Sequence, residues 1–132
     1  MGYDTSFSGE WKVEPPLSAE HVADLNAFAD QDHRGDSSCP GNYCQWIPSD
    51  DGKVVEYDGN EKFYNYVEWI EYLIETKFNP WGYTLNGTVE WDGEEQGDMG
   101  RIVITDNFVT TVEPKIVWPD PDPQPEITWP NE

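Results

Sequence analysis

The sequence predicts an α+β domain: an antiparallel sheet of about five to six strands, two helices on one of its faces, and an extended proline-rich tail. Residues 61–78 carry apolar side chains at the three-to-four spacing of one helix face. Several shorter segments alternate apolar and polar residues with the period of two that is typical of half-buried strands. Seven Trp, seven Tyr and five Phe supply a core for one domain of 132 residues.

The first half of the domain begins with a strand predicted at residues 7–13, which Pro15 ends because proline cannot donate to a sheet ladder. Ser18 is placed to cap a short amphipathic helix over residues 19–30. Residues 30–42 are rich in Gly, Ser, Asp and Pro, which predicts a loop.

A hairpin and the central helix follow. Strands are predicted at residues 43–47 and 53–57, on either side of a turn rich in aspartate. Asp58 and Glu61 have capping-box spacing at the start of the helix predicted over residues 61–78.

The last part of the chain is predicted as three strands and a tail. Pro80 is expected to stop the helix, and strands are predicted at residues 83–91, 101–105 and 108–118, the last of them interrupted at Pro114. Residues 119–132 contain five prolines and four acids, so we expect polyproline II or disorder there, outside a domain of residues 1–118.

The order of the first six elements, strand, helix, strand, strand, helix, strand, fits a ferredoxin-like split βαβ arrangement. Other α+β layouts fit the same order. Two apolar residues in the tail, Ile127 and Trp129, suggest that the tail docks on its own domain or on another chain.

The formal charge of −20 arises from 27 acids against 7 bases and is spread along the chain. Such a surface repels nucleic acid and anionic membranes and attracts basic partners. Halophilic adaptation or solubility alone would give the same composition, although the aromatic content argues against halophily. The sequence therefore predicts a basic protein surface as the partner, with no direct binding to nucleic acid or to a membrane.

The location expected from the sequence is the cytoplasm, in a host cell if the chain is phage-encoded. The N-terminus has neither the basic region nor the apolar run of a signal peptide, and no segment approaches about 20 apolar residues. Cys39 and Cys44 are expected to be free thiols. No cofactor motif, phosphate-binding loop or catalytic triad is present in the sequence.

The loop that contains His33, Cys39 and Cys44 is the candidate for a metal-dependent or thiol enzyme. These residue types can bind zinc, and an imidazole can activate a nearby thiol. The spacing of the two cysteines is loosely compatible with zinc, but His33 precedes both of them, so an ordered loop with small buried thiols is the simpler interpretation.

Two acidic surfaces are candidates for partner binding. The first is a stripe on the central helix, with flanking tyrosines as aromatic anchors, and the second is an acidic turn that could instead bind calcium or be simply solvated. The predicted partner-binding residues are Glu61, Glu68, Glu71, Glu75, Tyr64, Tyr72, Glu90, Asp92, Glu94, Glu95 and Asp98. If the fold holds these carboxylates in a regular arrangement, they could imitate the phosphates of DNA.

Three segments together resemble a known group of proteins: YDTSFSGEWKVEPPLS, CQWIPSDDGKVVEYDGNEKFYNYVEWIEYLI, and PWGYTLNGTVEWDGEE followed by DMGRIVITDN. They are similar to a family of small phage and bacterial proteins of unknown function, over most of residues 3–113. The resemblance implies a phage or mobile-element setting, and it identifies no catalytic residue in this chain. It favours inhibition of a host defence or DNA-handling protein.

The leading hypothesis is thus a non-enzymatic, acidic interaction protein that binds a cationic surface on a host protein as a DNA mimic. The alternatives are a metal-dependent or thiol enzyme, and an assembly component whose Trp-bearing tail docks on a neighbouring subunit.

Overall fold

The structure, a computed structural model, describes residues 3–60, 62–117 and 126–130. In chain order the elements are β1 (Thr5–Glu14), α1 (Ala19–Asp30), β2 (Trp46–Pro48), β3 (Val54–Tyr57), α2 (residues 66–81), β4 (Thr84–Gly93), β5 (Met99–Thr105), β6 (Phe108–Val112), β7 (Lys115–Val117) and β8 (Glu126–Thr128). The predicted α+β class is confirmed. Within these ranges, no helix combines the length and the apolarity needed to cross a membrane.

Six strands form one antiparallel sheet in the order β2-β3-β1-β4-β5-β6. β1 is antiparallel to both β3 and β4, and β3 is antiparallel to β2. It follows that β1 and β2 run parallel with β3 between them, as in a split βαβ unit, so the strand order fits a ferredoxin-like layout. β5 and β6 extend the sheet beyond β4 as a meander.

β1 is the central strand and pairs with β4 over its whole length, from Thr5 to Glu14. Trp11 on β1 is fully buried, and its indole N–H donates to the carbonyl of Ile102 on β5 at 3.2 Å. A strand that contacts three others through its backbone and its largest side chain holds the two halves of the sheet together.

One face of the sheet carries the core, as the period-two pattern predicts, and no described helix covers the other, which we call the open face. The fully buried large side chains are Trp11, Trp46, Trp69, Phe63, Phe78, Ile70, Leu73, Leu85, Ile102, Ile104, Val13 and Val55. Phe28 of α1 contacts Trp69 of α2, with ring centroids 5.9 Å apart. The two helices therefore pack side by side on the core.

The first helix has the predicted bounds. The Ser18 side chain accepts a hydrogen bond from the N–H of His21 at 3.2 Å, as expected of an N-cap. Leu25 is the buried residue of this helix, and Val22 and Phe28 are partly buried against the core.

The predicted start of the central helix is wrong. α2 begins at Tyr66, after Asn65 in a left-handed conformation with a φ of 59°. Phe63 precedes the helix but is still buried, with its ring 5.1 Å from that of Trp46. Because an irregular segment, with Lys62 and Asn65 at positive φ, places this side chain in the core, the apolar spacing extends beyond the helix itself.

The predicted capping box is not used for the helix. Asp58 instead accepts the N–H of Asn60 at 2.8 Å within the preceding turn. Its expected companion, Glu61, lies outside the described residues.

The predicted end of the central helix is also wrong. After the α-helical residues Tyr66–Leu73 come a π-helical turn, Ile74–Phe78, and a last turn, Asn79–Trp81. In the π turn the N–H of Asn79 donates to the carbonyl of Ile74, five residues earlier. The wider turn accommodates Pro80, which lacks an N–H and would clash with an ordinary α-helical carbonyl.

The tail contains a short strand where we expected none. Glu126–Thr128 pairs antiparallel with Lys115–Val117, so the expectation of polyproline II or disorder is wrong for these three residues. This stretch contains no proline and keeps its N–H groups for pairing. The predicted domain boundary at residue 118 lies outside the described residues.

Gly100 is required where the Trp91 ring crosses β5. The two residues are opposite each other in the β4–β5 pairing, and a Cβ at position 100 would overlap the indole ring. We predict that Gly100→Ala lowers the free energy of unfolding by about 2–4 kcal/mol, because a rigid, packed ring cannot move aside cheaply.

Chemical denaturation measures this change. Gly35→Ala is the control, since a Cβ there meets no atom within 4 Å. We expect it to change the unfolding free energy by less than about 0.5 kcal/mol. Equal effects of the two substitutions would show that the Trp91 contact is not tight.

Candidate interaction surface

Three carboxylates of the predicted stripe lie on the outer side of α2. Glu68, Glu71 and Glu75 are exposed, and their spacing of three and four residues places them on one side of the helix. None of the three carboxylate groups forms a hydrogen bond or ion pair with a described residue. Glu61, the fourth predicted member, lies outside the described part of the chain. We call Glu68, Glu71 and Glu75 the α2 carboxylate row.

Lys77, the one basic residue of α2, does not neutralise this row. The Nζ atom of Lys77 lies 2.7 Å from Asp24 on α1 and 4.8 Å from the centre of the Phe28 ring. The Lys77 side chain is only 18% exposed. Its charge is therefore committed to the contact between the two helices rather than to the row.

The two tyrosines predicted as anchors differ in accessibility. Tyr64 is 50% exposed, and its hydroxyl accepts the N–H of Tyr3 at 3.0 Å. Tyr72 is half-buried, stacks on Phe28, and has its hydroxyl 3.6 Å from the Cys39 Sγ atom. Tyr64 thus offers a ring surface to a partner, whereas much of Tyr72 is used inside the protein.

The second predicted surface spans the end of β4 and the connection to β5, and it is partly used by the fold. Glu90 pairs with Arg101 at 3.1 Å, and Glu94 accepts the N–H of Asp4 at 2.6 Å. Asp92 and Glu95 are exposed. Fewer free carboxylates remain here than the sequence alone indicates.

Asp98 joins three parts of the chain. Its carboxylate accepts the Tyr3 hydroxyl at 2.6 Å and the Trp91 indole N–H at 3.1 Å. The hydrogen bond to Asp98 raises the pKa of Tyr3, since loss of the phenolic proton would place two anions in contact. These contacts give Asp98 a structural task that the sequence pattern did not reveal.

We predict that Asp98→Ala lowers the free energy of unfolding by about 1–2 kcal/mol, because the Trp91 indole N–H loses its acceptor. Thermal or chemical denaturation measures the change. Glu95→Ala, at an exposed position in the same turn, is the control and should alter stability little. Equal stability of the two variants would contradict a structural role for Asp98.

The loop of residues 33–44 does not assemble a metal site. His33 is buried, with Nε2 2.9 Å from the carbonyl of Phe28 and its ring 5.6 Å from that of Trp69. In the part of the chain that the structure describes, no group of three or more His, Cys, Asp or Glu side chains is arranged to hold a metal ion. Among the described residues, neither the zinc candidate in this loop nor the calcium candidate in the acidic turn is therefore assembled.

The two cysteines are free and differ in environment. Cys44 is 1% exposed, and burial raises the pKa of its thiol to about 12. Cys39 is partly exposed, with Sγ 3.6 Å from the Asp36 carboxylate. Because the thiolate is the nucleophile, Cys44 is unsuited to nucleophilic chemistry near neutral pH.

We predict that a thiol reagent modifies Cys39 at least about 100-fold faster than Cys44 in the native protein near pH 8. Cys44 should react only on unfolding, since it is buried and the pKa of its thiol lies well above that pH. Absorbance of the released reagent measures both phases. Cys39→Ser should abolish the fast phase and Cys44→Ala should retain it. Rapid reaction of both thiols would restore the thiol-enzyme interpretation.

Trp129 packs against the open face of the sheet, a contact that sequence reasoning did not locate. The Arg101 guanidinium lies over the Trp129 ring, 3.9 Å from its centre. Trp129 also borders a cavity of about 310 Å³, together with Ser6, Ser8 and Asp92. The expected docking of the tail therefore includes a contact with the chain's own domain, where a cation–π pair holds the indole.

The chain matches no protein-family model, no curated protein and no solved structure. Its function must therefore be argued from its surfaces.

Proposed function

We propose that this protein is a non-enzymatic, acidic interaction protein that occupies a positively charged surface of a nucleic-acid-binding protein in place of DNA. The observation that supports this proposal most directly is the α2 carboxylate row, which is exposed and lacks a neutralising base among the described residues. The formal charge of −20 adds a long-range attraction for cationic partners.

The spacing of the row is compatible with imitation of a phosphate backbone. Residues three and four apart on a helix are separated by about 4.5 and 6 Å along its axis. One DNA strand carries a phosphate about every 3.4 Å along its axis. Over roughly 10 Å, the row thus presents three charges where one strand has about four phosphates.

The row is rigid because the opposite side of α2 is anchored in the core. Trp69 and Ile70 are fully buried, and Leu73 is 1% exposed. Carboxylates on such a helix lose little backbone freedom on binding, which favours affinity. Tyr64, half-exposed two residues before α2, supplies an aromatic surface of the kind that contributes strongly to interfaces.

The partner that fits this chemistry is a groove lined by Lys and Arg. Occupying the groove would exclude nucleic acid, so the protein would act as a competitive inhibitor. The resemblance to phage and bacterial proteins makes a host defence or DNA-handling protein in the host cytoplasm the proposed target. No cofactor is needed for this activity.

Charge reversal tests the proposal. We expect the triple variant Glu68→Lys, Glu71→Lys, Glu75→Lys to weaken partner binding roughly ten-fold or more at low salt, because three attractive contacts become repulsive. Immobilised protein is exposed to a bacterial lysate, and the captured proteins are quantified at about 50 and 500 mM salt, with a DNA duplex as competitor. The captured proteins should bind DNA, and the duplex should displace them.

The matched control is Glu10→Lys, Glu14→Lys, Glu56→Lys. It changes the net charge by the same amount on the open face of the sheet, where β1 pairs with β3. Retained binding in this control and loss in the α2 triple would locate the interaction on the row. Equal loss of binding in the two triple variants would show that net charge alone causes the effect. Binding that responds neither to salt nor to the DNA duplex would refute DNA mimicry.

A further inference from the structure

β6 is an edge strand with an unusual composition for this chain. In the described sheet it pairs with β5 alone, and its five residues, FVTTV, carry no charge and no proline. The other edge strand, β2, has three residues, one of which is Pro48. Proteins commonly protect sheet edges with short strands, proline or charge, and β6 uses none of these devices within its length.

The backbone of β6 has amides available for a further strand. A two-residue turn at Asp106 and Asn107, with φ values of 47° and 70°, joins β5 to β6 and makes Thr105 and Phe108 opposite partners. In a hairpin of this type the residues that flank the turn form a hydrogen-bonded pair. Further along the strands, hydrogen-bonded pairs alternate with pairs whose N–H and C=O groups point away from the partner strand. Val109 and Thr111 therefore direct their N–H and C=O groups away from β5.

The side chains of β6 are complementary to a second copy of the same strand. If two β6 strands pair antiparallel about Thr110, Phe108 lies opposite Val112, Val109 lies opposite Thr111, and Thr110 lies opposite itself. The outward amides of Val109 and Thr111 then bond each other across the symmetry axis. Opposed Thr side chains and aromatic–β-branched pairs are favourable cross-strand combinations.

Phe108 gives this pairing an apolar contact. It is 70% exposed, the highest value among the large hydrophobic side chains described as exposed. Val112 is opposite Arg101 in the sheet, and Arg101 carries the Trp129 ring. Phe108 of a second copy would thus lie beside an apolar region that includes Val112, close to the docked indole.

We propose that two copies of this protein associate through β6, in an antiparallel pairing centred on Thr110 that joins their sheets into one. A five-residue pairing buries less area than a standard interface, so the dimer is weak and is populated at roughly 10 to 300 µM protein. Each copy carries a charge of −20, and salt screens the mutual repulsion. Dimerisation therefore strengthens with salt, whereas binding to a cationic partner weakens.

A charge swap at the symmetry axis tests the pairing. Thr110 is exposed, and Thr110→Lys and Thr110→Glu should each abolish the dimer, since like charges would be directly opposed. An equimolar mixture of the two variants should restore a heterodimer, because Lys then faces Glu. Sedimentation velocity at about 50 and 500 mM salt measures the dimer, and mass spectrometry of the intact complex identifies its composition.

Thr88→Lys and Thr88→Glu are the matched controls. Thr88 is exposed on the same face, in line with Thr110 across Val103, but two strands from the edge. These variants should dimerise like the parent protein. Three results would each overturn the proposal. The parent chain could stay monomeric under both salt conditions, a single Thr110 variant could still dimerise, or the mixture of the two variants could stay monomeric. Circular dichroism verifies that every variant is folded.

Discussion

The burial of Trp46 is the interaction on which the candidate surface depends. This side chain is 1% exposed, and its ring packs edge-on against Trp11 at 4.6 Å. Its indole N–H donates to the carbonyl of Tyr66 at 2.8 Å, at the first residue of α2. One residue thereby ties the sheet to the beginning of the helix, and the direction of the helix determines which carboxylates point outward.

Aromatic packing, rather than ion pairing, supplies the stability that a chain with a charge of −20 requires. The described ion pairs include Lys12 with Glu14, which are both mostly exposed. Exposed pairs contribute little because water and salt screen them. Large buried rings contribute through the apolar area removed from water, and this contribution does not depend on the charge of the surface.

The two faces of the domain have different physical properties. The helical face carries the α2 carboxylate row, where like charges repel each other and favour a cationic counterpart. The open sheet face combines polar side chains with the Arg101–Trp129 contact and ends at the uncharged strand β6. Salt acts on the two surfaces in opposite directions, since it screens attraction at one and repulsion at the other.

The sequence by itself determined the fold class, the bounds of α1 and the exposure of the α2 row, because these follow from local periodicity and capping. Only the tertiary structure decided where α2 begins and ends: Phe63 reaches the core from an irregular segment before the helix, and a π turn accommodates Pro80. It also decided that Asp98 is tied to Tyr3 and Trp91, and that Trp129 packs on Arg101. These contacts join residues that are distant in sequence, and periodicity carries no information about which distant residues meet.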